Sequence, residues 1–399
     1  MRKLANGSTP EAKIVVVGVG GGGGNAVNRM IESNFVGVDY ISINTDMQDL
    51  RKSKANFRIQ IGEKLTSGLG AGANPEVGQK AAEESKNLIG EYLKEANLVI
   101  LTAGMGKGTG TGATPVVASI AKEMKKLVVA VITTPFYLEG KHRKSNADIG
   151  IENLTKVADA YIVVKNEKLV AQDDNTTVSD AFTYADGVLR QCIQGISDVI
   201  INTQTLNIDF ADLCTVLRNM GRTYLGIGSG SGPDRVLDAV KEAVGIKLQD
   251  IKIDDAASVL LYVKARRDVK MNEIDNAAVI VKEVVHPDAN IIFGFDFRDD
   301  LPHEVEVMII ATGFENKGLT KDISASSSFK QQPIIHNNMQ QPANQNMNYN
   351  DQGFNVNTSQ QPRAAQPRPD MSVGGRVSID EDDEDVPAWV IEQRKRTGR

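Results

Sequence analysis

Two segments of this chain follow one plan, and that plan leaves few folds open. "KIVVVG" (13–18) is an apolar, β-branched run that ends in glycine, and "GVGGGGGN" (18–25) continues it. "ANLVILTAG" (96–104) is a second such run, continued by "GMGKGTGTG" (104–112). A helical stretch comes next in each case. Ala26, Val27 and Met30 share a face after the first loop. "TPVVASIAKEMKK" (114–126) follows the second, entered through Pro115, a favoured first-turn residue. A continuously apolar strand has no polar face to give to water, so it belongs in a parallel sheet covered by helices on both sides. Further strands are predicted at 38–46, in "LVVAVITTP" and at 160–166.

Such junctions suit a phosphate chain. Glycine lets backbone N–H groups approach a ligand, and a helix N-terminus adds unpaired donors and a positive dipole end. The first loop alone fits G-x-G-x-x-G as Gly18, Gly20 and Gly23, with Asp46 placed as a ribose-binding acid. A dinucleotide oxidoreductase therefore stays open on residues 13–46. The second loop weighs against it, because a dinucleotide needs one phosphate loop whereas a mononucleotide triphosphate can use several. A P-loop fails on spacing: Leu101 stands where glycine is required, and Gly108 stands where Ser or Thr must follow Lys107. A merely flexible turn would not explain glycines set between a buried strand and a helix.

From Thr177 to Asn202 the apolar positions recur at the helical period over a broad surface, which predicts one long helix buried between two domains. A second α/β unit follows, with helices at 209–220 and 233–245, a glycine-rich "GIGSGSGP", and strands near 258–264 and 304–312. After Gly318 the chain becomes Gln/Asn/Pro-rich with few aliphatic residues. It cannot bury enough to offset its ordering entropy, so 318–379 is expected to be a disordered linker.

Net charge is −6, which argues against a general nucleic-acid binder. Two cysteines, Cys192 and Cys214, imply no disulfide framework, and four scattered histidines show no metal-ligand spacing. "MRKLANGSTPEAK" lacks the apolar segment of a signal peptide, and no apolar run has spanning length, so a cytoplasmic protein is expected.

Several motifs in order carry a family resemblance. "GMGKGTGTG" resembles the G-G-G-T-G-T-G signature of the tubulin/FtsZ family, and "GVGGGGGNAVNRM" is similar to the first nucleotide loop of its bacterial cell-division branch. "GLGAGANPEVG" (68–78), "TPFYLEGKHR" (134–143), "NIDFAD" (207–212) and "ANIIFG" (289–294) are similar to family segments in the same order. The likeness covers residues 12–316, and "DVPAWV" (385–390) resembles the family's C-terminal partner motif.

That resemblance implies an α/β fold: a Rossmann-like parallel-sheet GTP-binding domain (12–176), a central helix (177–202) and a second α/β domain (203–317). A flexible arm (1–11) would precede them, and a linker (318–379) and a partner-binding tail (380–399) would follow. It implies GTP or GDP as ligand, with Mg²⁺ carried on the phosphates and no direct protein ligand assigned. Gly20, Gly21, Gly22, Gly106, Gly108, Thr109 and Gly110 would serve the α- and β-phosphates, and Ala71, Gly72 and Ala73 the γ-phosphate. Glu139 and Arg143 would contact ribose and phosphate. Asn25, Asn166, Phe182 and Asp186 would recognise guanine. Gly23, Asn44, Asp46, Gly104, Lys107, Thr111, Thr133 and Pro135 would complete the pocket.

Asp209 and Asp212 read at first as an acidic N-terminal cap. The resemblance implies instead that they act, with Asn207, on the nucleotide of a neighbouring copy. Hydrolysis would then accompany head-to-tail polymerisation in bacterial division at mid-cell; a scaffold filament with little or no hydrolysis is the alternative. Asp385, Val386, Pro387, Trp389 and Val390 would dock membrane-tethering and regulatory division proteins, so membrane contact is indirect. A linker of roughly sixty residues gives a reach of about 40 Å.

Two departures stand out. Lys107 occupies a glycine position of the signature; a positive φ there would cost about 1–2 kcal/mol. Gly187 stands where a polar residue near the base is usual. "YVKARRD" (262–268) and "GIKLQDIKIDDAAS" also depart from the pattern in the second domain.

Overall fold

The computed structural model describes residues 12–170, 177–201, 206, 208–245 and 249–314. All of them lie in one compact unit. The arm 1–11, Asn207, the linker and the tail with Trp389 lie outside the described residues.

The apolar runs become strands of a seven-stranded, wholly parallel sheet. In chain order the elements are β1 (Ile14–Val19), α1 (Gly20–Glu32), β2 (Asp39–Asn44), α2 (Met47–Lys52), β3 (Phe57–Gln60), α3 (Glu63–Thr66), α4 (Pro75–Glu84) and α5 (Lys86–Leu93). Next come β4 (Leu98–Gly104), α6 (Thr109–Glu123), β5 (Leu127–Thr134), α7 (Lys141–Thr155), β6 (Ala160–Lys165) and α8 (Asn166–Val170). The long helix α9 (Val178–Ile201) and α10 (Phe210–Leu217) lead to β7 (Gly221–Arg222), which closes the sheet beside β6. Successive side chains of β1 point to opposite faces, and both faces are buried. Ile14 and Val16 join the core under α1 and α9, while Val15, Val17 and Val19 join the core under α4, α6 and α7.

Sheet order is β3-β2-β1-β4-β5-β6-β7. The order reverses between β1 and β4, and in an open parallel sheet the crevice for a ligand opens beyond the carboxyl ends of the strands at that point. Both glycine loops leave the sheet there.

The second sheet is β10-β9-β11-β8, with β8 (Tyr224–Gly230), β9 (Ser258–Ala265), β10 (Asn290–Phe297) and β11 (Val305–Thr312). α11 (Arg235–Val244) and α12 (Met271–Val284) cover one face, and α9 lies on the other through Cys192, Ile196 and Val199. One core cluster holds residues from both sheets, α9 and α10, so the long helix is buried between layers. The "GIGSGSGP" run is mostly strand β8. A Cβ on Gly226 or Gly228 would lie 1.9 or 2.0 Å from a carbonyl oxygen of α11, so the helix can sit on this strand only because side chains are missing.

The glycine loops differ from expectation in one respect. α1 starts at Gly20 and α6 at Thr109, so the first loop is largely a first helical turn and the second becomes helical only from Thr109 onward. Pro115 accordingly sits inside α6, not at its entrance. Glycine disfavours helix, but here it is required: a Cβ on Gly112 would stand 1.8 Å from the Pro75 carbonyl oxygen.

Candidate functional site

A cavity of about 560 Å³ lies at the switch point, within the size range of small-molecule sites. Its floor is made by the two loops pressed together. A Cβ on Gly22 would lie 3.2 Å from the Gly104 nitrogen, and Gly20 holds a φ of 70° with its Cβ position 2.8 Å from the Gly110 nitrogen. A side chain at Gly20 would force the starts of α1 and α6 apart, and one at Gly22 would press α1 away from the end of β4.

Most of the sequence-predicted residues converge on this cavity. Gly21, Gly22, Asn25, Asn44 and Asp46 line it from β1, α1 and β2. Ala71, Gly72 and Ala73 supply one wall, and Gly104, Lys107, Gly108, Thr109 and Gly110 the facing one. Thr133, Pro135, Glu139, Asn166, Phe182 and Asp186 close it. Ala73 keeps a φ of 60°, a left-handed backbone rare for a residue with a Cβ.

Five expected residues do not face the cavity. Gly23 packs against β4, where a Cβ would meet the Thr102 carbonyl oxygen at 2.2 Å. Gly20 abuts Gly110. Thr111 Oγ1 accepts from the Gly106 N–H at 2.8 Å, so both shape the loop from behind. Arg143 is ion-paired with Glu139, whose other oxygen accepts from the Phe136 N–H at 3.0 Å. These five hold the wall's shape, whereas the groups named above face inward.

The backbone at Lys107 does not have positive φ, so the strain anticipated for this position is absent. Its side chain is exposed at the cavity lip. Phe182 is no core residue: it is 43% exposed and packs edge-on against Phe136, with ring centroids 4.9 Å apart. Asn166 is buried and its Oδ1 has no hydrogen-bond partner. An orphaned buried acceptor at a cavity wall is what a donor-bearing ligand would satisfy.

Arg29 was not anticipated. It lies one turn beyond Asn25 on α1 and pairs with Asp186 of α9 at 2.8 Å. The i, i+4 spacing from Asn25, which puts Arg29 on the same helix face as that residue, was the available signal. Burial pushes the Asp186 carboxyl up to about 6, against the pull of the Arg29 guanidinium. Thr45 was also missed; its hydroxyl shares a 2.7 Å hydrogen bond with Thr109 and so ties β2's end to the α6 start.

Asp209 and Asp212 do not line the cavity. They form a reciprocal cap at the start of α10. Asp209 Oδ1 accepts from the Asp212 N–H at 2.8 Å, and Asp212 Oδ2 accepts from the Asp209 N–H at 3.1 Å. Each carboxylate keeps one oxygen outside this cap. Among the described residues no cluster of acidic, His or Cys side chains could hold a metal ion, and no helix is long and apolar enough to cross a membrane. Both cysteines are free.

Comparison with known proteins agrees with this architecture. Residues 13–174 match the GTPase domain of the Tubulin/FtsZ family, and 221–315 match the FtsZ family C-terminal domain. An empty FtsZ dimer from M. jannaschii is 39% identical with a TM-score of 0.73, covering 77% of this chain and 90% of that one. A CetZ2 from Haloferax volcanii, described as a GTPγS-bound protofilament, shares the fold at 20% identity and TM-score 0.65, covering 78% and 96%. A GDP-bound CetZ1 monomer from the same organism does so at 21% and 0.67, covering 78% and 98%. With both domains matched in order and 39% identity over most of an FtsZ, this chain belongs to the FtsZ family of tubulin-like GTPases.

Proposed function

We propose that the chain binds GTP in the switch-point cavity, polymerises head to tail, and hydrolyses GTP at sites completed between copies during bacterial cell division. The observation that carries this reading is a separation. The cavity holds the groups suited to a nucleotide, while the acidic loop suited to activating water lies outside it, on α10.

Backbone donors of the α1 and α6 starts suit the phosphates. Asn166 Oδ1, Asp186 and the Phe182 ring suit the donor edge and face of guanine. The free oxygens of Asp209 and Asp212, brought by a neighbour, would orient and polarise a water for attack on the γ-phosphorus. The bond to the β-phosphate oxygen then breaks, releasing GDP and phosphate. Mg²⁺, arriving with the nucleotide, would offset the charge of its phosphates.

Exposed apolar side chains near the cavity favour an occupant of this face. Leu69 and Tyr137 are each 84% exposed, and Leu138, next to Tyr137 in sequence, is exposed too. A head-to-tail contact is heterologous, and unless its rotation closes it propagates as an open filament. The FtsZ dimer and CetZ2 protofilament are assemblies of related chains. Cytoplasmic mid-cell placement and docking of division proteins through Trp389 complete the proposal.

The test is phosphate release from GTP measured against protein concentration, with sedimentation in parallel. A specific rate that rises as polymer forms is expected. A rate per molecule that is constant across the polymerisation threshold would refute the shared site.

A further inference from the structure

The cavity wall carries two cations, Arg29 and Lys107. Arg29 is already held by Asp186 at 2.8 Å. Lys107 has no ion pair or hydrogen bond among the described residues. Four carboxylates share the wall: Asp186 and Glu139 are ion-paired with Arg29 and Arg143, Asp46 caps α2 through the Gln48 N–H at 2.8 Å, and Asp49 accepts from the Asn44 side chain at 3.4 Å. Lys107, which touches none of these carboxylates, is thus the charged side chain of a loop that otherwise offers backbone donors and threonine hydroxyls.

Its position is fixed by its neighbours. Gly106 has a φ of 107° and donates its N–H to Thr111 Oγ1, which sets the turn before the lysine. After it, Gly108 presses on the opposite loop, where a Cβ would lie 2.7 Å from the Ala71 Cβ and 3.0 Å from the Asn74 nitrogen. Lys107 therefore leaves the wall at the seam between the 104–110 and 71–74 loops. With its backbone relaxed and its side chain exposed, nothing in its packing requires a long cation there. An anion bound in the cavity would give it a partner.

We propose that Lys107 is a ligand for the terminal phosphate of the bound nucleoside triphosphate, and that it sharpens preference for triphosphate over diphosphate. The inference rests on the GTP reading above. An ammonium acts as a point charge on a phosphate oxygen, and a charge-assisted hydrogen bond is about twice as strong as a neutral one.

The experiment compares full-length wild type, Lys107→Gln and Lys107→Arg, freed of nucleotide and kept below the polymerisation threshold. Affinities for a non-hydrolysable GTP analogue and for GDP are measured by competition at one ionic strength, with circular dichroism to check folding. Lys107→Gln is expected to lose about tenfold in affinity for the triphosphate and less than twofold for GDP, and Lys107→Arg to recover most of the loss. Equal losses for both nucleotides, or none, would overturn the proposal. Unchanged affinities, with weakened sedimentation in a parallel assay above the threshold, would overturn it too, by assigning the lysine to the contact between copies. Absence of guanine-nucleotide binding by the wild type would instead sink the GTP reading.

Discussion

Arg29 and Asp186 join α1 to α9 across the mouth of the cavity, with Nε and Oδ2 2.8 Å apart. Asp186 is where burial and an ion pair oppose each other, and burial prevails, leaving its carboxyl at about 6 instead of 3.8. If Asp186 accepts hydrogen bonds from guanine, it must be ionised. GTP affinity should be flat above pH 7 and fall below pH 6. Isothermal titration of wild type and Asp186→Asn from pH 5 to 8 checks this; the variant should bind weakly with no such fall.

The same residue affects folding with a definite sign. Its folded carboxyl keeps its proton to higher pH than in the unfolded chain, so its contribution to stability is lost as pH rises from about 4 to about 6. Denaturant melts of free wild type and Asp186→Asn should diverge across that window, by at most about 2–3 kcal/mol. Parallel curves would mean that Asp186 is solvated.

Asp212→Asn keeps a carbonyl oxygen able to accept from the Asp209 N–H, so the start of α10 should survive. Charge is lost without the cap. GTP binding should be unchanged, and turnover should fall by about a hundredfold, on the scale of losing one charged catalytic group. Lost binding would place Asp212 inside its own chain's pocket.

Lys264 is buried between Asp198 of α9 at 2.7 Å and Glu306 of β11 at 2.8 Å. Lys264→Met fills similar volume but strands the Asp198 carboxylate, which is itself nearly buried. A loss of about 3 kcal/mol in urea unfolding is expected. The double variant with Asp198→Leu should recover part of it.

Gly187 lies within α9, with nothing within 4 Å of a Cβ built on it. Gly187→Ala should therefore stabilise the helix by about 0.5–1 kcal/mol. Gly228→Ala, facing α11 at 2.0 Å, should destabilise strongly or fail to fold. Midpoints of denaturant unfolding separate the two.

The strands were legible because β-branched runs such as Ile14–Val17 bury both faces and need no partner-specific information. The cavity was legible because two glycine loops after parallel strands have few uses. What the sequence concealed were the helix starts at Gly20 and Thr109. Local propensity opposes a helix there, and only contacts such as Gly112 against Pro75 make glycine the necessary choice. Arg29 was hidden because an arginine on an exposed helix face usually pairs with water or a near neighbour, whereas its partner is far along the chain on α9. The relaxed backbone at Lys107 could not be read either, since φ at a non-glycine in a loop depends on what surrounds it.

The pairing of β7 with β6 bears on how this chain can be cut. Gly221 and Thr223 donate to the Asp159 and Tyr161 carbonyls at 2.8 and 3.0 Å, so the first sheet finishes only after the chain has already passed through α10. A recombinant fragment truncated at residue 203 would leave the β6 edge bare and strip α10 from the core beneath it. Exposed parallel edges of that kind recruit other chains. A truncation just beyond Thr223 would instead carry its own closing strand.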